Sequence, residues 1–563
     1  LSIDLKRTLR TRWFSLSNQL KLRKISKQVA ARENFPAGQP AVIVFNASTR
    51  LRNISQNAAF SLLTSWGIRL AGYPIIHYTC QAGMQHCVLG TNRQDYRQPP
   101  PCQACIAQSK RLYSHAQTRW FTYQPDEQLS QVTRNLNVSE LSTLEYPILL
   151  AGAPQAILIP LGRLVLPTLR WALRRHTLPD DQETAYLMRA YIHSAYSIAQ
   201  DFSSFVNESR PVAAIIFNGI MYPEATVRWV CEQRDVPVVL HEVGFQPFSA
   251  FFTTGEATAY PIPIPDAFEL TPEQNDQLDQ YLESRFQGKF SMAGIQFWPE
   301  MRGLDQKFLD KASHFDQIAP VFTNVIYDTS QMHANQVFTN MFAWLDAILE
   351  TIREHPETLF VIRAHPDEMR PDSAKQSNES VRSWVDAHGV RNLPNVVFID
   401  SQELISSYEL IQRAKFVIVY NSSIGLEAAL IGKPVLCGGK ARYTQYPMVF
   451  FPETPVEYQQ KLQDFLNADS IDIPAEFSRN ARRFLYFQLY RASLPFNAFL
   501  TAGPRKGFVG FKPFSWKKLL PENSATMRLL AEGLQHAIEM HQSEAAAANH
   551  AEPTFTFLLE EGE

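Results

Sequence analysis

Phe416-Val-Ile-Val419 runs straight into Tyr420-Asn-Ser-Ser-Ile-Gly-Leu-Glu427, and Gly432-Lys-Pro434 then leads into Val435-Leu436. An apolar run that ends in two hydroxyl residues, passes into a helix-forming stretch and turns into a second apolar run reads as strand, helix, strand. Parallel strands need a crossover helix and a sheet covered on both faces, so this unit constrains the fold more than any other segment. Ser422 or Ser423 is expected to cap the helix, leaving first-turn amides to meet a phosphate. Glu427, one turn on, would reach a ribose hydroxyl. An ordinary capped helix in an α/β sheet accounts for the same residues.

The pattern recurs. Ala41–Phe45, Pro74–Tyr78, Val212–Phe217 and Val236–Leu240 are strand-like, with helical patterns over Asn57–Ala71, Gln182–Asn207 and Tyr222–Arg234. A second series has strands at Pro320–Phe322, Leu359–Ile362, Val396–Ile399 and Phe416–Val419, and a helix over Gln336–Glu354. Such alternation predicts α/β architecture with parallel, doubly wound sheets. A chain of 563 residues has room for two large domains. The expected division is a basic helical segment over 1–40, a first domain over 41–270 with a Cys-rich loop at 80–105, and a Pro-rich connector over 271–318. A second domain over 319–500 follows, then an extension over 501–563. The tail around Ala545–Ala548 and Leu558–Glu563 is expected to be mobile or a peripheral helix.

Hydrophobic residues make up 45% of the chain, enough for full cores, and the formal net charge of -2 indicates no basic surface on the scale of nucleic-acid binding. The first 40 residues hold no apolar run of the signal-peptide kind, so a cytoplasmic protein is expected. They carry Lys6, Arg7, Arg10, Arg12, Lys21, Arg23, Lys24 and Lys27, with Leu5, Leu9, Trp13, Phe14, Leu16, Leu20 and Leu22 between them. Two readings stand: a helix packed on the body, or an amphipathic helix resting peripherally on the inner face of an anionic membrane. Tyr146–Thr177 is apolar but broken by Pro154, Pro160 and Arg163, so it reads as a buried or interfacial segment, not a span.

The chemistry-bearing residues follow apolar strands, where α/β sheets place ligands. Arg363 and His365 follow Leu359–Ile362 and suit a diphosphate or a departing phosphate; a packed loop histidine is the plainer reading. Asn324 and Asp328 follow Val321–Phe322 and would line the same cleft, or serve as turn residues. Glu242 precedes Val243-Gly244, where glycine permits a tight turn that projects the carboxylate. Such a group either takes a proton from an acceptor hydroxyl or forms a strand-end ion pair.

Taken in order, Asn218-Gly219, His241-Glu-Val-Gly-Phe245, Thr323-Asn-Val-Ile-Tyr-Asp328, Arg363-Ala-His-Pro366 and Asn421-Ser-Ser-Ile-Gly-Leu-Glu427 with Gly432-Lys-Pro434 resemble the bacterial capsule polysaccharide biosynthesis glycosyltransferases. More distantly they are similar to Kdo transferases and bacterial sialyltransferases. The resemblance covers about Ala41 to Leu500. It implies a GT-B fold of two Rossmann-like domains facing a cleft, metal-independent inverting transfer, and a CMP-, UDP- or GDP-linked sugar as donor. It implies that His365 contacts the donor phosphate, that Ser422 and Ser423 hold that phosphate, that Glu427 reaches the ribose and that Glu242 is the general base. Asn324, Asp328, Arg363 and Gly425 are expected to complete the donor site, and a glycan or glycolipid is the expected acceptor. The sialyltransferases carry two acidic residues before this glycine, whereas this chain has Glu242-Val-Gly244.

Cys80, Cys87, Cys102 and Cys105 are spaced C-x6-C-x14-C-x2-C in a Gly- and Pro-rich loop. A tetrathiolate zinc site or an iron–sulfur cluster fits that spacing, and four unliganded thiols are the alternative. Cys231 and Cys437 read as core residues. Two other functions remain at this stage. One is a GT-B-type nucleotide-sugar epimerase. The other is a non-catalytic scaffold with a degenerate transferase fold.

Overall fold

Strands that are apolar on both faces must be covered on both faces. The computed structural model, which describes residues 2–47, 53–287, 301–369, 376–545 and 554–560, meets that demand twice. The first sheet holds β1 (Val42–Phe45), β2 (Ile75–Cys80), β3 (Gln117–Phe121), β4 (Ala213–Phe217), β5 (Val238–Val243) and β6 (Ser249–Thr253). The second holds β7 (Gln317–Phe322), β8 (Thr358–Arg363), β9 (Val396–Ile399), β10 (Val417–Val419) and β11 (Val435–Cys437). A last strand, β12 (Leu494–Pro495), returns to the first sheet, beside β6. The parallel part of the first sheet runs β3-β2-β1-β4-β5, and the second, wholly parallel, runs β9-β8-β7-β10-β11. These are the same winding order, so the molecule is α/β with two Rossmann-like sheets in a GT-B-like arrangement.

Helices α1 (Ser2–Ala30), α2 (Gln56–Leu70), α3 (Cys102–Leu112), α4 (Leu161–Leu173), α5 (Gln182–Ser209) and α6 (Glu224–Gln233) surround the first sheet. α7 (Pro272–Phe286) leads out of that half, α8 (Ser407–Arg413) and α9 (Ile424–Leu430) belong to the second, and α10 (Ala525–Ala545) comes back to pack on α2. Caps set several starts: Ser55 accepts from the Ala58 amide ahead of α2, and Asp181 from the Thr184 amide ahead of α5. The central strands of each sheet are buried on both faces. One apolar cluster of the second half also takes in Phe251 and Tyr260 from the first, so the core is continuous across the junction.

Some elements depart from expectation for local reasons. β3 has a polar strand sequence and is only partly buried, so its apolar signal is faint. β6 is fully buried but antiparallel to β5, turning back through Gly244, whose amide donates to the Ser249 carbonyl at 2.8 Å. A Cβ on Gly244 would collide with the Ser249 side chain; lack of room, not a left-handed backbone, requires glycine here. The Tyr146–Thr177 stretch forms a hairpin, Tyr146–Ile148 with Ile157–Ile159, followed by α4, whose Leu161, Val165 and Leu169 are buried. Among the described residues no helix is long and apolar enough to cross a membrane. α1 buries Leu22, Ile25 and Val29 and turns Trp13, Leu16 and Leu20 outward. The side chains of Lys6, Arg7, Arg10 and Arg12 lie outside the described residues, as do positions 546–553 and 561–563 of the tail.

Glu368, beyond β8, is fully buried; one carboxylate oxygen accepts from the Val381 amide at 2.7 Å, and the other has no hydrogen-bond partner among the described residues. Burial pushes its pKa up to about 8 against the Val381 hydrogen bond. Glu368 should therefore be protonated in the folded chain at neutral pH and ionised in the unfolded one. Its contribution is full below pH ~4.5, the ordinary carboxylate range, and is lost as pH rises toward 8, at ~1.4 kcal/mol per unit. Glu368→Gln should flatten that decline; equal pH-dependence of thermal unfolding in variant and parent would refute the assignment.

Candidate functional site

In a doubly wound sheet, loops after two adjacent central strands leave in opposite directions and open a crevice at the carboxyl edge. In the second sheet those strands are β7 and β10. Their loops are tied together by the Asn324 amide, which donates to Asn421 Oδ1 at 2.7 Å, while Asn324 Oδ1 accepts from the Val325 amide at 2.8 Å. Asn324 thus shapes the crevice floor.

Ser422 and Ser423 sit on that edge. Ser423 occupies the cap position of α9, but neither serine hydroxyl caps the helix, contrary to expectation. Ser423 has helical backbone angles, which point its side chain away from the first-turn amides; its hydroxyl lies 3.4 Å from Glu427 Oε1 instead. α9 spans only seven residues, so the hydroxyls carry more of any anion contact than the helix dipole does. Gly425 is needed because a Cβ there would strike the Tyr443 hydroxyl, which donates to the Ser422 carbonyl at 2.8 Å. Gly425 therefore supports the serines through Tyr443.

Glu427 is engaged by the protein itself. Arg285 of α7 approaches Oε1 at 2.5 Å and the Tyr408 hydroxyl donates to Oε2 at 2.5 Å. Burial disfavours the Arg285 charge, but Glu427, Tyr281 and Tyr408 outweigh it and push its pKa up. Arg285 and Tyr408 carry no local sequence signal; the Arg285–Glu427 partners are 142 positions apart.

Arg363 points inward, donating to the Asp400 carbonyl at 2.8 Å, and burial brings its pKa down to about 10. It braces the loop after β9 and still borders a cavity. The Asp367 amide donates to His365 Nδ1 at 3.1 Å, which makes Nε2 the nitrogen that carries the proton in the neutral ring.

Two cavities meet at this edge. A cavity of about 310 Å³ lies between the halves, with Trp171, Arg174 and Phe245 on one side and Asn324, Asp328 and Arg442 on the other. A second, of about 210 Å³, runs under α7 and past Arg363, Tyr408 and Glu427. Arg285, His365, Asp367, Ser422 and Ser423 border both. Arg174, Arg285, Lys440 and Arg442 outnumber the carboxylates Asp328 and Asp367 in the larger cavity, with His333 and His365 besides. Sequence reading missed these cations. Arg174 ends α4 in the left-handed conformation (φ 58°), with its guanidinium over the rings of Trp171 at 4.0 Å and Tyr327 at 4.7 Å. Burial and nearby Arg93 lower its pKa to about 10.

In the first sheet the equivalent edge carries Glu242. Asn57 of α2 donates to its Oε1 at 2.5 Å, and Asn218, after β4, to its Oε2 at 3.1 Å. Asn218 and Gly219 both have positive φ, 58° and 74°, and this turn aims the Asn218 amide. Glu242 keeps some accessible surface but is not in the wall of either cavity. Burial raises its pKa; the Val243, Asn57 and Asn218 hydrogen bonds oppose that, and Asp328 across the cleft adds to it. His241 is fully buried, stacked on Phe252, and held neutral by burial at a pKa of about 3, so it faces no substrate.

Cys80, Cys87, Cys102 and Cys105 line one cavity of about 30 Å³ outside the cleft, and none forms a disulfide. Burial pushes the Cys87 thiol up, with Cys80, Cys105 and Cys102 adding to the rise and the Gly90 amide opposing it. Among the described residues no three His, Cys, Asp or Glu side chains stand close enough together to hold a metal ion as placed. Cys231 and Cys437 are buried in the core, as expected.

Residues 296–450 match the family model described as capsule polysaccharide biosynthesis protein, which bears out the resemblance read from the motifs. The chain is 27% identical over 241 residues to Protein FixF of Sinorhizobium fredii, a match over 42% of this chain and half the length of that relative. Among solved structures it is similar to the KpsC beta Kdo 2,4 transferase of Thermosulfurimonas dismutans, with 13% identity, 58% of this chain and 87% of the other covered, and a TM-score of 0.30. It is also similar to the UDP-GlcNAc 2-epimerase of Neisseria meningitidis bound to UDP-GlcNAc, with 13% identity, 55% and 83% covered, and a TM-score of 0.24. The two-sheet α/β fold follows from the strand order of the chain itself.

The Arg285–Glu427 pair is largely buried, so Arg285→Met should destabilise the fold by ~3–5 kcal/mol by stranding the carboxylate. Arg285→Met with Glu427→Gln should recover much of that loss in denaturant titrations. Additive losses would mean that the two side chains are not coupled.

Proposed function

We propose that this chain is a glycosyltransferase that moves a sugar from a nucleotide-linked donor to a surface-glycan or glycolipid acceptor. The observation that carries this reading is the cation-rich cavity between two sheets of identical winding order, with His365, Ser422 and Ser423 on one edge and Glu242 near the other. The donor's phosphates would lie against His365 Nε2–H, the two serine hydroxyls and the Arg285 charge. Its nucleoside would lie in the smaller cavity, bounded by Tyr408 and Phe286. Glu427 would act there by fixing Arg285 and Tyr408.

In this mechanism Glu242 takes the proton of an acceptor hydroxyl, and that oxygen attacks the anomeric carbon. The bond from that carbon to the phosphate oxygen breaks on the far side, and the nucleotide leaves carrying the charge that His365 and the serines stabilise. The anomeric centre inverts, without a metal ion. Asn57 and Asn218 orient the base. Asp328 is a second candidate because it is exposed and borders the cavity itself.

Outward-facing Trp13, Leu16 and Leu20, with exposed Arg23, Lys24 and Lys27 on the same helix, support peripheral contact with an anionic membrane. Salt-sensitive flotation of the protein with anionic but not neutral vesicles is the expected result, and failure to float with either would remove the membrane from the reading.

Glu242→Gln should keep donor affinity and lose turnover by about 10²–10⁴-fold. Asp328→Asn removes a like charge that raises the Glu242 pKa, so the acid limb of the pH–rate profile should move to lower pH. If Asp328→Asn abolishes turnover while Glu242→Gln does not, the base is Asp328. His365→Ala and the Ser422→Ala/Ser423→Ala pair should each weaken nucleotide binding by ~1.5–3 kcal/mol per lost charge-assisted bond. Calorimetry showing parental affinity in folded variants would displace the phosphate from this edge.

A further inference from the structure

The Cys-rich loop lies outside the cleft, yet its backbone is arranged around its sulfurs. Cys80 ends β2 and begins a Cys-x-x-Gly turn: Ala82 has φ 54°, and the Gly83 amide donates to Cys80 Sγ at 3.3 Å. Cys87 begins another Cys-x-x-Gly turn, closed by the Gly90 amide on the Cys87 carbonyl at 3.2 Å. A Cβ on Gly90 would stand 2.8 Å from Cys87 Sγ, so only glycine lets the turn wrap the sulfur this closely. Cys102 and Cys105 lie in the first turn of α3, an 11-residue helix whose first-turn amides receive no side-chain cap. Amide donors that face sulfur favour the thiolate over the thiol. One amide thus faces sulfur directly, at Cys80, while the Gly90 turn and the start of α3 bring Cys87, Cys102 and Cys105 to the same cavity.

We propose that Cys80, Cys87, Cys102 and Cys105 bind a single zinc ion. All four cysteines border one small cavity of about 30 Å³, room for a single ion, and four thiolates are a complete tetrahedral ligand set for zinc. The four cysteines line its wall, and binding requires their sulfurs to draw inward to the ~2.3 Å zinc–sulfur distance. Each thiol that coordinates as thiolate releases its proton to solvent. No redox change is involved.

The ion has a structural task. Thr91, just beyond Cys87, bonds the Cys87 carbonyl and the Tyr191 hydroxyl, each at 2.9 Å, and the Tyr222 hydroxyl donates to the His86 carbonyl at 2.9 Å. Arg93 then lies over the ring of Trp171 at 5.1 Å, and Trp171 is part of the cleft wall. Zinc fixes the start of this loop and so the position of Arg93 against the cleft.

The test uses the full chain purified under reducing, anaerobic conditions from cells supplied with zinc and iron. Elemental analysis should find one zinc per chain, with four of the six thiols shielded from a thiol reagent until zinc is removed. Replacement by cobalt should give the intense visible bands of a tetrahedral tetrathiolate site, a readout that needs no mutant. Cys102→Ser with Cys105→Ser should bring bound zinc to background. Overturning results are iron and sulfide in a brown protein, a Cys102–Cys105 disulfide without metal, or a folded metal-free protein whose thiols react freely and whose Tm zinc leaves unchanged.

Discussion

Everything in the site depends on where the strand order reverses. β7 and β10 are neighbours whose following segments leave in different directions, so Asn324 and Asn421 come side by side at the tips of two strands far apart in sequence. One side-chain hydrogen bond closes the floor there. Asn46 after β1 and Asn218 after β4 occupy the matching place in the first sheet, and Asn218 is the residue that holds Glu242. The halves are held together from both flanks. Glu379 accepts from the His176 and Thr177 amides at 2.6 and 2.8 Å on one side, and on the other Arg442 stacks over Phe245 and Tyr260.

Charge in the cleft is managed by stacking and pairing. Arg174 is flanked by two aromatic rings, which accept a weakly hydrated guanidinium more readily than an ammonium. Arg285 is held by Glu427 at the boundary of both cavities. An anionic ligand would meet cations whose positions are already set, so little ordering cost falls on binding. Glu242 is treated oppositely: burial and Asp328 disfavour its charge while three hydrogen bonds favour it. That balance suits a group that must be ionised to act and still ready to take a proton.

The central strands were legible because a parallel strand buried on both faces is apolar throughout, as in Leu359–Ile362 and Phe416–Val419. β3 escaped because its Gln117-Thr-Arg119 start is polar, and β6 because reversal through Gly244 breaks the βαβ rhythm. Ser422, Ser423 and His365 could be placed at a strand end from local pattern alone. What they touch could not. Ser423 fails as a cap because of its backbone angles, Gly425 answers to Tyr443, and Glu427 is claimed by an arginine in another helix. Arg174 lay in a stretch read for its apolar character, where nothing local points to a cleft. The capsule-type motifs survive because they mark loop positions, and loop positions follow from winding order.

The central claim is that a nucleotide's phosphate sits between His365 and the Ser422–Ser423 pair, on the opposite side of the cleft from Glu242. Crystals of the protein soaked in turn with CMP, UDP and GDP test it most directly. The account predicts, for one of the three, phosphate density within hydrogen-bond reach of His365 Nε2 and both serine hydroxyls, with the base toward Tyr408. A nucleotide bound instead beside β1 and β4, or binding of none of the three in crystals and in solution, would contradict it.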